Sequence, residues 1–147
     1  MDNAISPYVV AIDHVGVAVA DLDEAIEFYR THFGLDAYHV EENDEQGVRE
    51  AMLRVPGDEG TAVQLLAPTS EDSTIAKFLK RNGPGLQQLA YRVSDVDAAT
   101  AALKEAGLRV LYPEAKRGTA DSRVNFIHPK DAGGVLVELV EPARAHA

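Results

Sequence analysis

The chain resembles itself at a spacing of 74 residues, and this repeat restricts the possible folds more than any other feature. Ile12-Asp13-His14-Val15-Gly16-Val17-Ala18-Val19 runs into Asp21-Leu22-Asp23-Glu24-Ala25, and Leu86-Gln87-Gln88-Leu89-Ala90-Tyr91-Arg92-Val93 runs into Asp95-Val96-Asp97-Ala98-Ala99. Asp21 matches Asp95, Asp23 matches Asp97, and Ala25 matches Ala99. The ends agree too: Val63-Gln64-Leu65-Leu66-Ala67-Pro68 precedes Val137-Glu138-Leu139-Val140-Glu141-Pro142 by the same interval. The offset pairs His14 with Gln88 and Gln64 with Glu138. All four side chains can bind a metal, and all sit in otherwise apolar strands. A duplicated unit with polar residues at matching core positions predicts a two-fold cavity with a site at its centre.

With 147 residues, the chain suffices for one domain with a sizeable core. The period is too long and the copies too few for a solenoid. Two fused half-domains fit better. A formal charge of −10 argues against a nucleic-acid surface and against anionic membranes. The absence of cysteine removes disulfides and thiolate ligands. No signal-like apolar run or span of membrane length is read, so a cytoplasmic protein is expected.

The repeat divides the chain into module one (9–67), a linker with a short helix (68–85) and module two (86–142), all in a single domain, 1–147. Residues 1–8 read as a loose lead-in and those after Pro142 as a frayed tail. In module one, a strand over 9–19 leads to a helix capped by Asp21, with Glu24 placed as in a capping box. Leu22, Ala25, Ile26, Tyr29 and Phe33 recur at helical spacing until Gly34. Strands follow near 37–42, 48–55 and 62–66, with turns at 43–47 and 56–60. Module two repeats the order with a strand over 86–93, a helix over 95–106 ended by Gly107, and strands near 108–112, 123–127 and 135–140. The linker helix spans 73–81. The expected class is α+β, with two βαβββ modules whose sheets most simply pair into a curved, incomplete barrel.

Alternation along a strand decides which side chains share a face. His14 lies with Ile12, Gly16 and Ala18; Gln88 with Leu86, Ala90 and Arg92; Gln64 with Ala62 and Leu66; Glu138 with Leu136 and Val140. A buried carboxylate without a partner is costly, and a divalent ion shared by Glu138, His14 and Gln64 would satisfy it. Glu50 shares its face with Val48 and Met52. An apolar setting raises a carboxyl pKa and suits proton transfer; the competing reading is a surface glutamate paired with Arg54 or Arg92. His128 could line the cavity or belong to a turn, whereas His32, His39 and His146 read as peripheral. Glu41, Glu42, Asp44 and Glu45 read as a solvated acidic turn. Between Pro113 and Lys130, four cations (Lys116, Arg117, Arg123 and Lys130) face two carboxylates (Glu114 and Asp121). This local excess could hold an anionic substrate, with Arg123 the best candidate contact and Ser122 and Asn125 beside it.

These residues carry a resemblance to the methylmalonyl-CoA epimerases of the vicinal oxygen chelate (glyoxalase-like) superfamily. It runs from about Ile12 to Pro142. It rests on Asp13-His14-Val15-Gly16-Val17-Ala18, Glu45-Gln46-Gly47-Val48-Arg49-Glu50-Ala51-Met52-Leu53, Val63-Gln64-Leu65-Leu66-Ala67-Pro68, Ser73-Thr74-Ile75-Ala76-Lys77-Phe78-Leu79, and Ser122-Arg123-Val124-Asn125-Phe126-Ile127-His128-Pro129-Lys130 through to Glu138-Leu139. The resemblance implies the vicinal oxygen chelate fold, a homodimer, an acyl-CoA substrate and a divalent metal, commonly cobalt (Co2+). It implies ligands at His14, Gln64 and Glu138 and a proton-transfer glutamate at Glu50. Glu138, or a group acting through water, would be the second base. The substrate-binding candidates are Ser122, Arg123, Asn125, His128 and Lys130. One position departs from the family: His-His is usual where this chain has Gln87-Gln88. An amide oxygen at Gln88 is a weaker and harder ligand than imidazole. The implied reaction is epimerisation of (2R)- and (2S)-methylmalonyl-CoA by metal-assisted proton transfer at C2, with ethylmalonyl-CoA a close alternative substrate. A glyoxalase-type isomerase and a non-catalytic ligand-binding dimer of the same fold are the rival readings.

Overall fold

The computed structural model describes residues 5–143. The expectations for the lead-in before Ile5 and the tail after Ala143 fall outside these residues, as does His146. The elements run β1 (Val9–Ala18), α1 (Leu22–Phe33), β2 (Asp36–Asn43), β3 (Val48–Arg54), β4 (Ala62–Pro68), α2 (Thr74–Asn82), β5 (Gly85–Val93), α3 (Val96–Glu105), β6 (Lys116–Arg117), β7 (Arg123–Ile127) and β8 (Leu136–Glu141). The chain forms two compact units, one spanning His14–Gln87 and the other joining the segment up to Asp13 to the segment from Gln88 onward. β1 is therefore shared, and the unit boundaries fall inside the first strand of each repeat.

In the first unit, β4 pairs parallel with β1 and antiparallel with β3, which pairs antiparallel with β2. Val17, Leu53 and Leu65 bury one face of these strands against Leu22, Ala25, Ile26 and Tyr29 of α1. Each fully buried leucine contributes about 2 kcal/mol. Asp21 caps α1 by accepting from the Glu24 N–H at 3.0 Å, and Gly34 closes it at φ 68°, a conformation that favours glycine. On the opposite face, Ile75, Phe78 and Leu79 of α2 cover Ala18, Val48 and Leu66.

In the second unit, β8 pairs parallel with β5 and antiparallel with β7, which pairs with the two-residue β6. Val96, Ala99 and Leu103 of α3 pack on Val93, Ile127, Val137 and Leu139. The Asp95 carboxylate caps α3 through the Ala98 N–H at 3.0 Å, the counterpart of Asp21. The repeat extends to strand register. Gly16 opposes Gln64 in the first unit, and Ala90 opposes Glu138 in the second, each residue shifted by the same interval. Met52 opposite Gln64 likewise corresponds to Phe126 opposite Glu138.

Two expectations are corrected. Ile5–Tyr8 is a docked turn: the Tyr8 N–H donates to the Ile5 carbonyl at 2.8 Å, and both side chains pack on the α3 core. The strand expected over 108–112 is absent. Only an isolated bridge joins Val110 to Ile127. The fully buried Asn125 takes the place of a ladder: its Oδ1 accepts from Tyr112 N at 3.1 Å and its Nδ2 donates to Tyr112 O at 3.1 Å. A side-chain amide that satisfies both backbone groups of one residue substitutes for strand pairing. Arg109 is held instead by Asp131, which accepts from its N and Nε at 2.8 Å and from an Nη at 2.9 Å.

Candidate active site

β-register places the first unit's functional side chains in rows. Gly16, Gln64, Met52 and His39 are successive partners across β1, β4, β3 and β2; Ala18, Leu66, Glu50 and Glu41 form the next row. Directly opposed residues share a face, so His14, Gln64, Glu50, Glu41 and His39 lie on the face away from α1. Gly16 and Ala18 on the same face are small, and Ala18 lies under α2. His14, Glu50 and Gln64 are buried. The Gln64 Nε2 donates to Glu50 Oε2 at 3.0 Å. Neither arginine weighed as a partner for Glu50 makes that pairing: Arg54 lies over the Tyr38 ring at 4.5 Å, and the Arg92 Nε donates to Asp13 Oδ1 at 2.8 Å.

In the second unit, Gln88 and Glu138 are buried on the face that carries Ala90, Val124, Phe126 and Val140. The Gln88 Nε2 donates to Glu138 Oε1 at 3.4 Å. Both glutamines thus turn their nitrogen to a carboxylate, which accepts only. In a planar amide this turns the oxygen, the atom able to ligate a cation, to the other side. Each unit brings together two of the four expected ligands. Imidazole with an amide oxygen in one unit, and carboxylate with an amide oxygen in the other, are donor types that suit hard or borderline divalent ions. Among the described residues, no three His, Cys, Asp or Glu side chains form a metal cluster. Val124 stands where the repeat puts the counterpart of Glu50, so a carboxylate at this register position occurs in one unit only.

The expected substrate contacts divide by strand parity. Ile127 belongs to the α3 core, whereas Val124 and Phe126 lie on the Glu138 face. Arg123 and Asn125 therefore point away from Glu138, to the face of β7 that carries Ile127. Arg123 is bidentate to Asp97, at 2.8 and 3.0 Å, which raises its own pKa and lowers that of Asp97. The Asn125 amide is committed to the Tyr112 backbone and to Phe126 N, which donates to its Oδ1 at 2.9 Å. Ser122 is buried, on the side of Val124, at the end of a loop in which Ala120 and Asp121 both have positive φ. For non-glycine residues that conformation is strained, a frequent property of functional loops. The His128 Nδ1 accepts from Lys130 N at 3.1 Å, ahead of an exposed Lys130. The local cations are partly spent: Arg117 pairs with Asp121 at 2.7 Å, and Lys116 lies 4.4 Å from the Tyr112 ring centroid.

Glu41 and His39, which the sequence reading left as solvated or peripheral, share the face of Glu50. Glu41 is in β2, not in the acidic turn, and its side chain is 14 % exposed. The His39 Nε2 lies 2.6 Å from Glu41 Oε1. The hairpin held the signal: a four-residue turn between Asn43 and Val48 sets Glu41 opposite Glu50.

Residues 13–126 match the Glyoxalase/Bleomycin resistance protein/Dioxygenase superfamily. The ethylmalonyl-CoA/methylmalonyl-CoA epimerase of Cereibacter sphaeroides is 40% identical over 130 residues, 87% of this chain and 95% of that one. A crystal structure of methylmalonyl-CoA epimerase from Mycobacterium tuberculosis is 58% identical, with TM-score 0.90 over 98% of this chain and 94% of that one. A methylmalonyl-CoA epimerase in complex with methylmalonyl-CoA and NH4+ is 48% identical, with TM-score 0.88, covering 95% of this chain and 99% of that one. The chain belongs to this glyoxalase-like superfamily and, within it, to the methylmalonyl-CoA epimerase family. Its fold is the α+β vicinal oxygen chelate fold, built from two βαβββ modules.

Proposed function

We infer that this chain is an epimerase that interconverts (2R)- and (2S)-methylmalonyl-CoA by proton transfer at C2. Its relatives carry that activity in their names, and the observation that supports it here is a buried glutamate, Glu50, oriented by Gln64 at 3.0 Å. The C2 hydrogen of the substrate lies between a thioester and a carboxylate and is therefore acidic. Glu50 takes this proton from one face, the electron pair left on carbon delocalises into the thioester, and a second base returns a proton on the other face. Glu138 is the proposed second base.

His14, Gln64, Gln88 and Glu138 are the proposed ligands of a divalent ion, with Co2+ the first choice. Such an ion, when bound, supplies a Lewis acid for the thioester oxygen. Gln88 is the weakest of the four ligands. Ser122, His128 and Lys130 are the proposed acyl-CoA contacts. A homodimer is the proposed assembly, and the exposed Val10 and Ile12 are apolar surface that such contact would cover. No helix among the described residues is long and apolar enough to cross a membrane; a cytoplasmic location is proposed.

Glu50→Gln tests the reading. Gln keeps the shape and a hydrogen-bonding group but cannot act as the base, so epimerisation should fall about 100-fold or more while thermal unfolding stays near wild type. Full exchange of the C2 hydrogen of both epimers with deuterated solvent in that variant would place the base elsewhere.

A further inference from the structure

A base that has taken a proton from carbon must lose it before the next turnover in the same direction. Glu50 is poorly placed to do so directly, since its side chain is buried. Of its two cross-strand neighbours, Leu66 on β4 and Glu41 on β2, only Glu41 can accept a proton. Directly opposed side chains have Cβ atoms about 5 Å apart, and like charges in that arrangement destabilise a sheet. The juxtaposition of two carboxylates is offset at both ends, by Gln64 donating to Glu50 at 3.0 Å and by His39 against Glu41 at 2.6 Å. Glu50 is buried, whereas the side chains of Glu41 and of His39, which stands in the neighbouring row of the same strand, are 14 % and 37 % exposed. The path therefore runs from Glu50 across to β2 and along that edge strand toward the surface.

We propose that Glu41 and His39 are a proton conduit that connects Glu50 with solvent, a role that rests on the epimerase reading above. The C2–H bond breaks and its proton forms an O–H bond on Glu50. That proton passes to the Glu41 carboxylate, then to the His39 ring, and leaves as hydronium or on a buffer base. The path reverses when Glu50 must be loaded with a proton for the opposite direction. No redox partner is needed. The three residues occur in one unit only: the repeat puts Pro113, Ala115 and Val124 at the positions of His39, Glu41 and Glu50.

The test follows each epimer in deuterated water at low buffer concentration, measuring deuterium at C2 of recovered, unconverted substrate. Wild type should wash deuterium into the epimer whose hydrogen faces Glu50. Glu41→Gln and His39→Gln, close to isosteric, should lower that wash-in several-fold for that epimer and leave the other unchanged. Added imidazole should restore it in His39→Ala, a rescue that a merely structural role would not show. Folded variants with wild-type wash-in at every buffer concentration would overturn the conduit. Equal losses for both epimers without imidazole rescue would also overturn it, reducing the pair to a structural contact. A wild-type protein that neither epimerises nor exchanges would instead refute the epimerase reading, and the conduit with it.

Discussion

Asn125→Ala separates a structural role from a substrate-binding one. Asn125 is fully buried and makes three bonds, accepting from Tyr112 N and Phe126 N and donating to Tyr112 O. Truncation removes the amide to which both backbone groups of Tyr112 are bonded. Each stranded group costs about 1–3 kcal/mol when water cannot replace the partner. Tyr112 is only partly buried, which gives water some access, so a total of about 2–4 kcal/mol is expected. For a domain of this size that lowers the unfolding midpoint by about 6–12 °C. Differential scanning calorimetry and urea titration measure it, and steady-state kinetics measure KM for the acyl-CoA in parallel. The expected outcome is a large loss of stability with KM within about two-fold of wild type below the unfolding transition. A variant that unfolds like wild type but binds acyl-CoA many-fold more weakly would refute the reasoning and return Asn125 to the substrate site.

Arg123→Ala should leave acyl-CoA affinity unchanged at low and high salt, because its guanidinium serves Asp97 on an exposed surface; isothermal titration with acyl-CoA checks this. Gln88→His should tighten divalent metal binding, read by titration with Co2+, since imidazole is the stronger ligand for first-row ions; looser binding would remove Gln88 from the ligand set. Asp131→Asn should flatten the acid limb of the stability curve. Arg109 holds the Asp131 pKa far below its usual value, chiefly through hydrogen bonds. Its stabilisation is therefore fully present above the unfolded carboxyl pKa of about 3.9 and is lost as pH falls through the lower folded value. Urea midpoints of wild type and variant, measured between neutral and strongly acidic pH, should converge as pH falls.

Much of this architecture is legible in the sequence because duplication carries positional information. The interval from Gly16 to Ala90 and from Gln64 to Glu138 predicts equivalent strand positions, and the structure gives each pair the same cross-strand register. The burial of Glu50 follows from the apolar neighbours on its face. Arg123 shows a different limit: local positive charge suggested an anion site, but the parity of β7 sends its side chain to the other face. The missing strand over 108–112 was not legible, since only tertiary contact reveals that the Asn125 side chain takes the backbone of Tyr112. Glu41 sits in an acidic run typical of solvated turns, and only the pairing of β2 with β3 turns it toward Glu50.

The division of β1 has a consequence for synthesis of the chain from its N-terminus. Tyr8 O accepts from Ser94 N at 2.9 Å, Asp13 is bonded to Arg92, and Ile5 and Tyr8 pack on a core built from residues beyond Val93. When a ribosome has released only as far as Gln87, the His14–Gln87 unit has all its own strands, while residues 5–13 still lack their partners. The backbone of residues 9–13 is then an open strand edge of the kind that recruits other nascent chains. Residues 5–13 wait longest for their contacts, so they should be among the last parts of the two units to fold.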